Sequence, residues 1–202
     1  MSKRNKRGIM GCTSIPYTQR LKMQHQSEVV DCRDHAARIA MYCTCLALHD
    51  VAEAGYIRLA RFAARHSQLI KEFYEDQEVG MAHCVTRMQD LGMPIDGEFY
   101  QAPNDGSSKK EMDLKTHALQ AVQVALILGA IAANDVFGFG PERQKRLGNR
   151  INEYSTRYKN QGQKFLLEGM AKLGFPIVNG VAMAYIDQDG KPVTVSAARC
   201  MK

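Results

Sequence analysis

Two segments of this sequence match one another in residue type and spacing. They span residues 48–95 and 133–177, and each holds an Asp-Val pair, a glycine, three arginines and a closing Leu-Gly-x-Pro-Ile. The first parts align at an offset of 85 residues and the closing motifs at 82, so the second copy is three residues shorter. Such a duplication predicts two similar structural units, in which the shared positions are those that the unit needs.

Glycine occupies shared positions where helices are expected to end. Gly55 and Gly140 lie between two helical patterns, and we expect a turn with positive φ there, because glycine adopts that conformation most easily. In the closing motif the glycine ends a helix, and the proline two residues later prevents its continuation. Each copy therefore predicts helices separated by a glycine corner and ended by Gly-x-Pro.

Three arginines recur in each copy with the spacing i, i+3, i+7, which places each triplet on one face of a helix. Charged faces are common on solvated helices, where exposed ion pairs contribute little. Retention of arginine at all six positions instead favours planar donors for phosphate or carboxylate groups. The candidate partner- or nucleic-acid-binding residues, with a lysine beside the second triplet, are Arg58, Arg61, Arg65, Arg143, Arg146, Arg150 and Lys145.

Two shared aspartates offer these arginines an internal partner. Asp50 and Asp135 occupy equivalent positions just before the two corners. An Asp–Arg pair across the corner would make the triplets structural rather than binding residues. The sequence leaves both interpretations open.

The spacing of apolar residues predicts a mainly α fold. Hydrophobic residues make up 45% of the 202 residues, which is typical of a globular protein. A short strand is expected at 98–101 and a β-hairpin from 181 to 196, with its turn at 187–190. The predicted helices span about 27–51, 56–74, 78–91, 109–136, 141–159 and 163–173.

These elements divide the chain into a flexible basic arm and two repeat units. The arm covers residues 1–26, repeat unit 1 covers residues 27–106, and repeat unit 2 covers residues 107–202 and ends in the β-hairpin. Each unit is expected to have three helices and a small hairpin. Since one such unit would bury only a thin core, we expect the two to pack around a pseudo-twofold axis through helices 30–50 and 117–136.

Composition restricts the environment and the partners. A net charge of +6 is compatible with a nucleic-acid or acidic protein partner. Aromatic residues make up only 7% and tryptophan is absent, so a platform for stacking single-stranded bases is poorly supplied. The apolar stretch 119–133 is short and interrupted by glutamines, which favours a core helix over a membrane span. Six cysteines without a CxxC pair and no signal peptide predict free thiols in a reducing cytoplasm, with no membrane association.

One cluster has the residue types of a metal site. Cys43, Cys45 and His49 lie on the first predicted helix, and Cys45 and His49 are four residues apart, so both can face one metal ion. The second copy has Leu128 and Ala130 at the cysteine positions, which indicates that these positions belong to the core. We therefore predict no metal and no cofactor.

Motifs typical of enzymes are missing from the sequence. It has no Walker loop, no GxSxG, no HExxH and no acidic cluster for two metal ions. Gly138-Phe139-Gly140 is not a GxGxxG motif, so a dinucleotide site is not expected. The sequence therefore predicts a protein that binds rather than catalyses.

The second corner carries a resemblance. Residues 133–143, with the run Phe137-Gly138-Phe139-Gly140 before a basic helix, resemble a helical corner of small uncharacterised phage and prophage proteins, mostly of gut Firmicutes. In the first copy Ala52-Glu53-Ala54-Gly55 replaces that run. Proteins of such mobile elements include replication accessories and inhibitors of host defence such as type II anti-CRISPR proteins. The resemblance implies a mobile-element origin and leaves the activity open.

Together these features predict a non-enzymatic inhibitor or adaptor of a phage or mobile element. It would dock on a host protein or nucleoprotein complex, for example a CRISPR nuclease, through the doubled arginine faces. The alternative is an accessory protein of phage replication or transcription that binds DNA or RNA directly and loses affinity steeply with salt. The protein is expected to be a monomer with internal pseudo-symmetry or a homodimer.

Overall fold

A computed structural model describes residues 17–185, which form five helices and one small sheet, so the prediction of a mainly α fold is confirmed. The antiparallel sheet consists of two strands of two residues each. In chain order the elements are α1 (Tyr17–Ala52), α2 (Tyr56–Glu75), α3 (Gln77–Asp90), α4 (Lys109–Phe137), α5 (Pro141–Lys172), β1 (Ile177–Val178) and β2 (Val181–Ala182).

α1 begins ten residues earlier than predicted. Residues 17–26, which were expected to belong to a flexible arm, are helical, and residues 1–16 lie outside the described part of the chain. Part of the reason is long-range pairing that the local pattern does not reveal. His25 Nε2 lies 2.8 Å from Asp113 Oδ2 of α4, and Lys110 Nζ lies 2.5 Å from Glu28 Oε2.

α1 and α4 run in parallel along the centre of the molecule. Cys32 Sγ donates to the Leu114 carbonyl oxygen at 3.6 Å, and farther along both helices a Cβ built at Gly129 would lie 3.8 Å from Cγ2 of Thr44. Because contacts advance in the same direction on both helices, both helices end at the same end of the molecule. Their facing residues are buried and form the centre of the core.

The outer helices cross from one half of the chain to the other. α2 packs mainly on α4, and α5 packs mainly on α1, whereas α2 barely contacts α1. α5 is interrupted at Gly162, where φ is 74°, so the two predicted helices over 141–159 and 163–173 correspond to its two parts. The described parts of the two halves, 27–106 and 107–185, are thus intertwined in one common core.

α4 is an interior helix. Within residues 17–185 it is the one helix long and apolar enough to cross a membrane, and 56% of its most apolar window is buried inside the fold. Burial of this kind is typical of a core helix, as its sequence predicted.

The two corners differ from the prediction in one respect. Gly55 and Gly140 have φ of −76° and −82° and precede α2 and α5 as extended N-cap residues, so the predicted positive φ is wrong there. Positive φ occurs two residues earlier, at Glu53 (49°) and Gly138 (66°). The reason is that the left-handed residue closes the preceding helix, where the N–H of Gly138 donates to the Asn134 carbonyl oxygen at 2.8 Å.

The closing motifs end their helices as predicted. After α3, the N–H groups of Gly92 and Met93 donate to the carbonyl oxygens of Gln89 and Met88. After α5, Gly174 and Phe175 repeat both bonds with Ala171 and Met170. Both glycines have positive φ, 69° and 93°, and the paired bonds form the Schellman arrangement that needs such a residue.

The strands differ from the predicted ones. Residues 181–182 form the second strand of a hairpin, not the first, and their partner is 177–178. Asn179 and Gly180 form the turn, with φ of 51° and 73°, as a type I′ turn requires. The Asn-Gly pair was the missed signal. The predicted turn at 187–190 and strand at 192–196 lie outside the described residues.

The predicted strand at 98–101 is not a strand. The segment lies along α4, where Gln123 accepts from the Tyr100 N–H at 3.0 Å and donates to the Glu98 carbonyl oxygen at 2.7 Å. One side-chain amide therefore takes the place of a neighbouring strand, which explains why the extended pattern has no strand partner.

Candidate functional site

The last arginine of the first triplet forms an ion pair across the molecule. Arg65 Nε of α2 donates to Asp135 Oδ2 of α4 at 2.8 Å, and Arg87 Nη2 donates to Asp135 Oδ1 at 2.5 Å. The Asp135 side chain is only 21% exposed. Burial raises the pKa of this carboxyl, but the hydrogen bonds from Arg65 and Arg87 outweigh it and hold the pKa below its usual value.

The last arginine of the second triplet forms the equivalent ion pair, in which the arginine comes from the second half of the chain and the aspartate from the first. Arg150 Nε of α5 donates to Asp50 Oδ2 of α1 at 2.6 Å, and Tyr154 Oη donates to the same oxygen at 2.9 Å. Arg150 also contacts Glu153. Of the two interpretations that the sequence left open, internal pairing therefore describes Arg65 and Arg150.

The first arginine of each triplet lies on an aromatic ring at the second corner. The guanidinium carbon of Arg58 is 4.7 Å from the ring centroid of Phe137, and that of Arg143 is 5.9 Å from Phe139. The two rings are 5.6 Å apart. Arg58 follows the first corner and Phe137 precedes the second, so the two corners meet and the two guanidinium groups flank one pair of rings.

Both corners are held by a side chain of the preceding helix. His49 Nδ1 lies 3.1 Å from the Ala54 carbonyl oxygen, and Asn134 Nδ2 donates to the Phe139 carbonyl oxygen at 3.1 Å. Ala54 and Phe139 are buried at 0% and 1% exposure. These bonds fix the directions in which α2 and α5 leave the corners.

The remaining cations are free of internal partners. Arg61, Arg146 and Lys145 are exposed, and none has a hydrogen bond, ion pair or ring contact with another residue of the described range 17–185. They lie within the first two turns of α2 and α5, which start at the meeting corners. We call the following residues the cationic end: Arg58, Arg61, Arg143, Lys145 and Arg146.

Carboxylates only partly offset the charge of the cationic end. Asp50 and Asp135 are already paired with Arg150 and Arg65. Within the two corners and the first two turns of α2 and α5, this leaves the exposed Glu53 and Glu142 against five cations. Since arginine and lysine stay protonated near pH 7, this end carries excess positive charge.

The candidate metal ligands are not brought together. Cys43 and Cys45 are buried at 1% exposure, and burial raises the pKa of their thiols to about 11 and about 12. His49 is exposed and engaged at the corner. Between residues 17 and 185 no group of three or more His, Cys, Asp or Glu side chains could hold a metal ion.

His66 is the most buried ionisable group of α2, and its contacts are structural. Its Nε2 lies 3.0 Å from the Ala125 carbonyl oxygen and its residue is 3% exposed. Burial lowers the pKa of this imidazole, and the bond to Ala125 opposes that shift. The ring is therefore neutral near pH 7 and is enclosed by the core.

Sequence reasoning missed three of these participants. Phe137 and Phe139 were noted for the resemblance but not as supports for arginines, and Arg87 was not considered as a second donor to Asp135. For the rings the available signal was their position, since each lies a few residues before a triplet. For Arg87 the sequence offered none, because the second copy has Gly169 at that position.

Comparison with known proteins adds no relative. No family model, curated protein or solved structure matches the chain. The resemblance of residues 133–143 to phage and prophage proteins stays a prediction from the sequence.

Proposed function

We propose that this chain is a non-enzymatic binding protein that docks through its cationic end on a nucleoprotein complex, where it contacts the nucleic-acid backbone. One observation carries the proposal: five cations, of which three have no partner among the described residues, are gathered where two corners meet. Arginine suits this role because its planar donors match phosphate oxygens in pairs.

The ring contacts support phosphate as the partner. Arg58 and Arg143 lie near the Phe137 and Phe139 rings, which limits the conformations of the two long side chains. A donor that is already positioned loses less side-chain entropy on binding. The edges of the guanidinium groups remain for oxygen acceptors.

The proposed context is that of a mobile element. The resemblance of the second corner favours an inhibitor or adaptor encoded by a phage or prophage, which acts in the host cytoplasm on a defence complex such as a CRISPR nuclease. A second candidate is direct binding to free DNA or RNA as an accessory of replication or transcription. It is favoured by the same positioned guanidinium groups, which need no protein partner to bind phosphate.

We also propose that the fold is a fused pair of duplicated units related by a pseudo-twofold axis along α1 and α4. Several contacts between the two halves occur twice, and in the second occurrence each half supplies the residue that the other half supplied in the first. Asp50–Arg150 corresponds to Asp135–Arg65, and Lys110–Glu28 corresponds to His25–Asp113, each at the offset of 85 residues. Thr44 and Gly129, which are equivalent to one another, meet between the helices, as residues near such an axis must.

The closing glycines extend the same correspondence. A Cβ built at Gly92 would lie 3.1 Å from Cγ of Pro141, and one built at Gly174 would lie 3.5 Å from Cβ of Tyr56. Pro141 and Tyr56 are the equivalent first residues of α5 and α2. Each unit's closing motif thus lies against the other unit's corner.

The test is a fluorescence-anisotropy titration of a labelled DNA duplex and a labelled RNA hairpin at about 50 and about 200 mM salt. Wild type is compared with R61Q/R146Q, which removes two exposed charges without breaking an internal contact. K71Q/K159Q is the matched control, since Lys71 and Lys159 are exposed and lie far along α2 and α5 from the corners.

We expect binding that weakens steeply with salt, is reduced in R61Q/R146Q and is kept in the control. A dissociation constant for free nucleic acid in the non-specific range, about 10⁻⁴ to 10⁻⁶ M, favours docking on a complex, whereas tighter binding favours the second candidate. No binding at low salt, or equal losses in both double variants, would refute the cationic end as a nucleic-acid contact.

A further inference from the structure

We infer that the nucleic acid at the cationic end is double-stranded and lies with a dyad of the duplex along the pseudo-twofold axis of the protein. This inference rests on the proposed function and specifies its ligand. It assigns equal roles to the two halves, with α2 contacting one strand and α5 contacting the other.

The free arginines of the two halves are equivalent. Arg61 and Arg146 are both exposed, and each lies three residues after an arginine held at the Phe137–Phe139 pair. The two strands of a duplex are related by twofold axes perpendicular to its length, and proteins with twofold symmetry use this by contacting both strands alike. A single strand has no such axis, so it cannot contact Arg61 and Arg146 in the same way.

The phenylalanine and tyrosine rings in the described part of this end are all engaged by other residues. Single-strand binding proteins stack bases on exposed rings. Phe139 is 1% exposed, Phe137 is covered by Arg58, and Tyr56 packs edge-on against Phe175 at 5.0 Å. Among the described residues of the two corners, no phenylalanine or tyrosine ring is left for a base.

The donors at this end are of the type that binds phosphate. The cationic end offers charged groups, but its first turns carry few neutral amides that read bases. Gln144, the one neutral amide in the first two turns of α2 and α5, is buried and donates to the Ala130 carbonyl oxygen at 2.8 Å. Contacts from arginine and lysine to phosphates fix position on a duplex without reading sequence. We therefore assign duplex phosphates as the contacts of these charged groups.

The experiment compares a blunt DNA duplex with each of its isolated strands, at equal salt and labelled at the same end. The proteins are wild type, R61Q and R146Q, with K71Q as a matched control for loss of one charge. Circular dichroism and urea unfolding confirm that each variant keeps the fold. The salt dependence of binding to the duplex is measured for each protein.

We expect the duplex to bind at least about tenfold more tightly than either strand. R61Q and R146Q should each lower the slope of log K against log salt by about one and should weaken binding by similar factors, while K71Q should not. Equal affinity for duplex and single strands, or a loss confined to one of the two arginines, overturns the inference but leaves the proposed function standing. Absence of binding to all three nucleic acids overturns the proposed function itself.

Discussion

Arg65 of α2 donates to Asp135 of α4 at 2.8 Å, and the equivalent Arg150 of α5 donates to the equivalent Asp50 of α1 at 2.6 Å. Each bond joins the two halves of the chain. The four residues explain why arginine and aspartate recur together at the two corners. Arg65 and Arg150, which the sequence offers as binding residues, therefore form two ion pairs that hold α2 and α5 in place. We call these two Asp–Arg pairs the clasps.

The two clasps should differ in strength. Asp135 accepts from two arginines and is 21% exposed, whereas Arg150 in the other clasp is 45% exposed. We expect D135N to lower the free energy of unfolding by about 1 kcal/mol, because two charge-assisted hydrogen bonds are weakened. D50N should cost less, since water screens its partner. Urea unfolding of both variants measures the difference.

The control for the clasp variants is D31N, since Asp31 is exposed on α1 and forms no ion pair within the described chain. D31N should leave the unfolding midpoint close to that of wild type. If D135N is no less stable than D31N, the clasp contributes nothing measurable.

The buried thiols should be unreactive until the protein unfolds. Burial raises the pKa of Cys43 and Cys84 to about 11 and that of Cys45 to about 12, so almost no thiolate exists near pH 7. We expect iodoacetamide to modify these three cysteines only in urea concentrations that unfold the protein, and the half-buried Cys32 to react earlier. Peptide mapping by mass spectrometry identifies the sites. Rapid native-state modification of Cys45 would show that α1 is not packed as described.

The sequence predicted the elements well where the local pattern determines them. Five of the six predicted helices agree with the structure to within a few residues, and the Gly-x-Pro motifs end helices as expected, because φ and the missing proline N–H are local properties. The early start of α1 was not predictable in this way, since one residue of the added stretch, His25, pairs with Asp113, far away in the chain.

The candidate site was predictable only in part. Spacing predicted that each arginine triplet shares a helix face. It could not tell which arginines meet Asp50, Asp135 or the phenylalanines, because those contacts depend on how α2 and α5 cross the central pair. The duplication provided the one useful long-range clue. Asp50 and Asp135 are kept in both copies, and they are the acceptors that the structure places beside Arg150 and Arg65.

Glu53 should be a point of removable strain. Its φ is 49°, a left-handed conformation that costs a residue with a side chain about 1 kcal/mol, and its equivalent in the second copy is Gly138. We expect E53G to raise the free energy of unfolding by up to about 1 kcal/mol. G55A serves as the control, because Gly55 has φ of −76° and open space around its Cα, so alanine there should be tolerated. A destabilised E53G would mean that the Glu53 side chain contributes a contact worth more than the strain.

His66 should make stability depend on pH. Burial lowers the pKa of its imidazole in the folded state, whereas the unfolded chain binds a proton near pH 6.5. Below that pH the unfolded state therefore holds more protons than the folded state, and the free energy of unfolding falls as the pH falls. Above about pH 7 both states are neutral at this position, and its contribution no longer changes.

The variant H66I isolates this effect, because isoleucine occupies the equivalent position 151 in the second copy. Urea unfolding of wild type and H66I is measured from about pH 7.5 to about pH 5, a range that brackets the pKa of a free histidine, about 6.5. Each protein gives one curve of the free energy of unfolding against pH. Their difference should be constant above pH 7 and should change by up to about 1.4 kcal/mol per pH unit below about 6.5, in favour of H66I as the pH falls. Because all other titrating groups are common to both proteins, parallel curves would mean that the imidazole is not held neutral beside Ala125, and that α2 does not enclose it against α4.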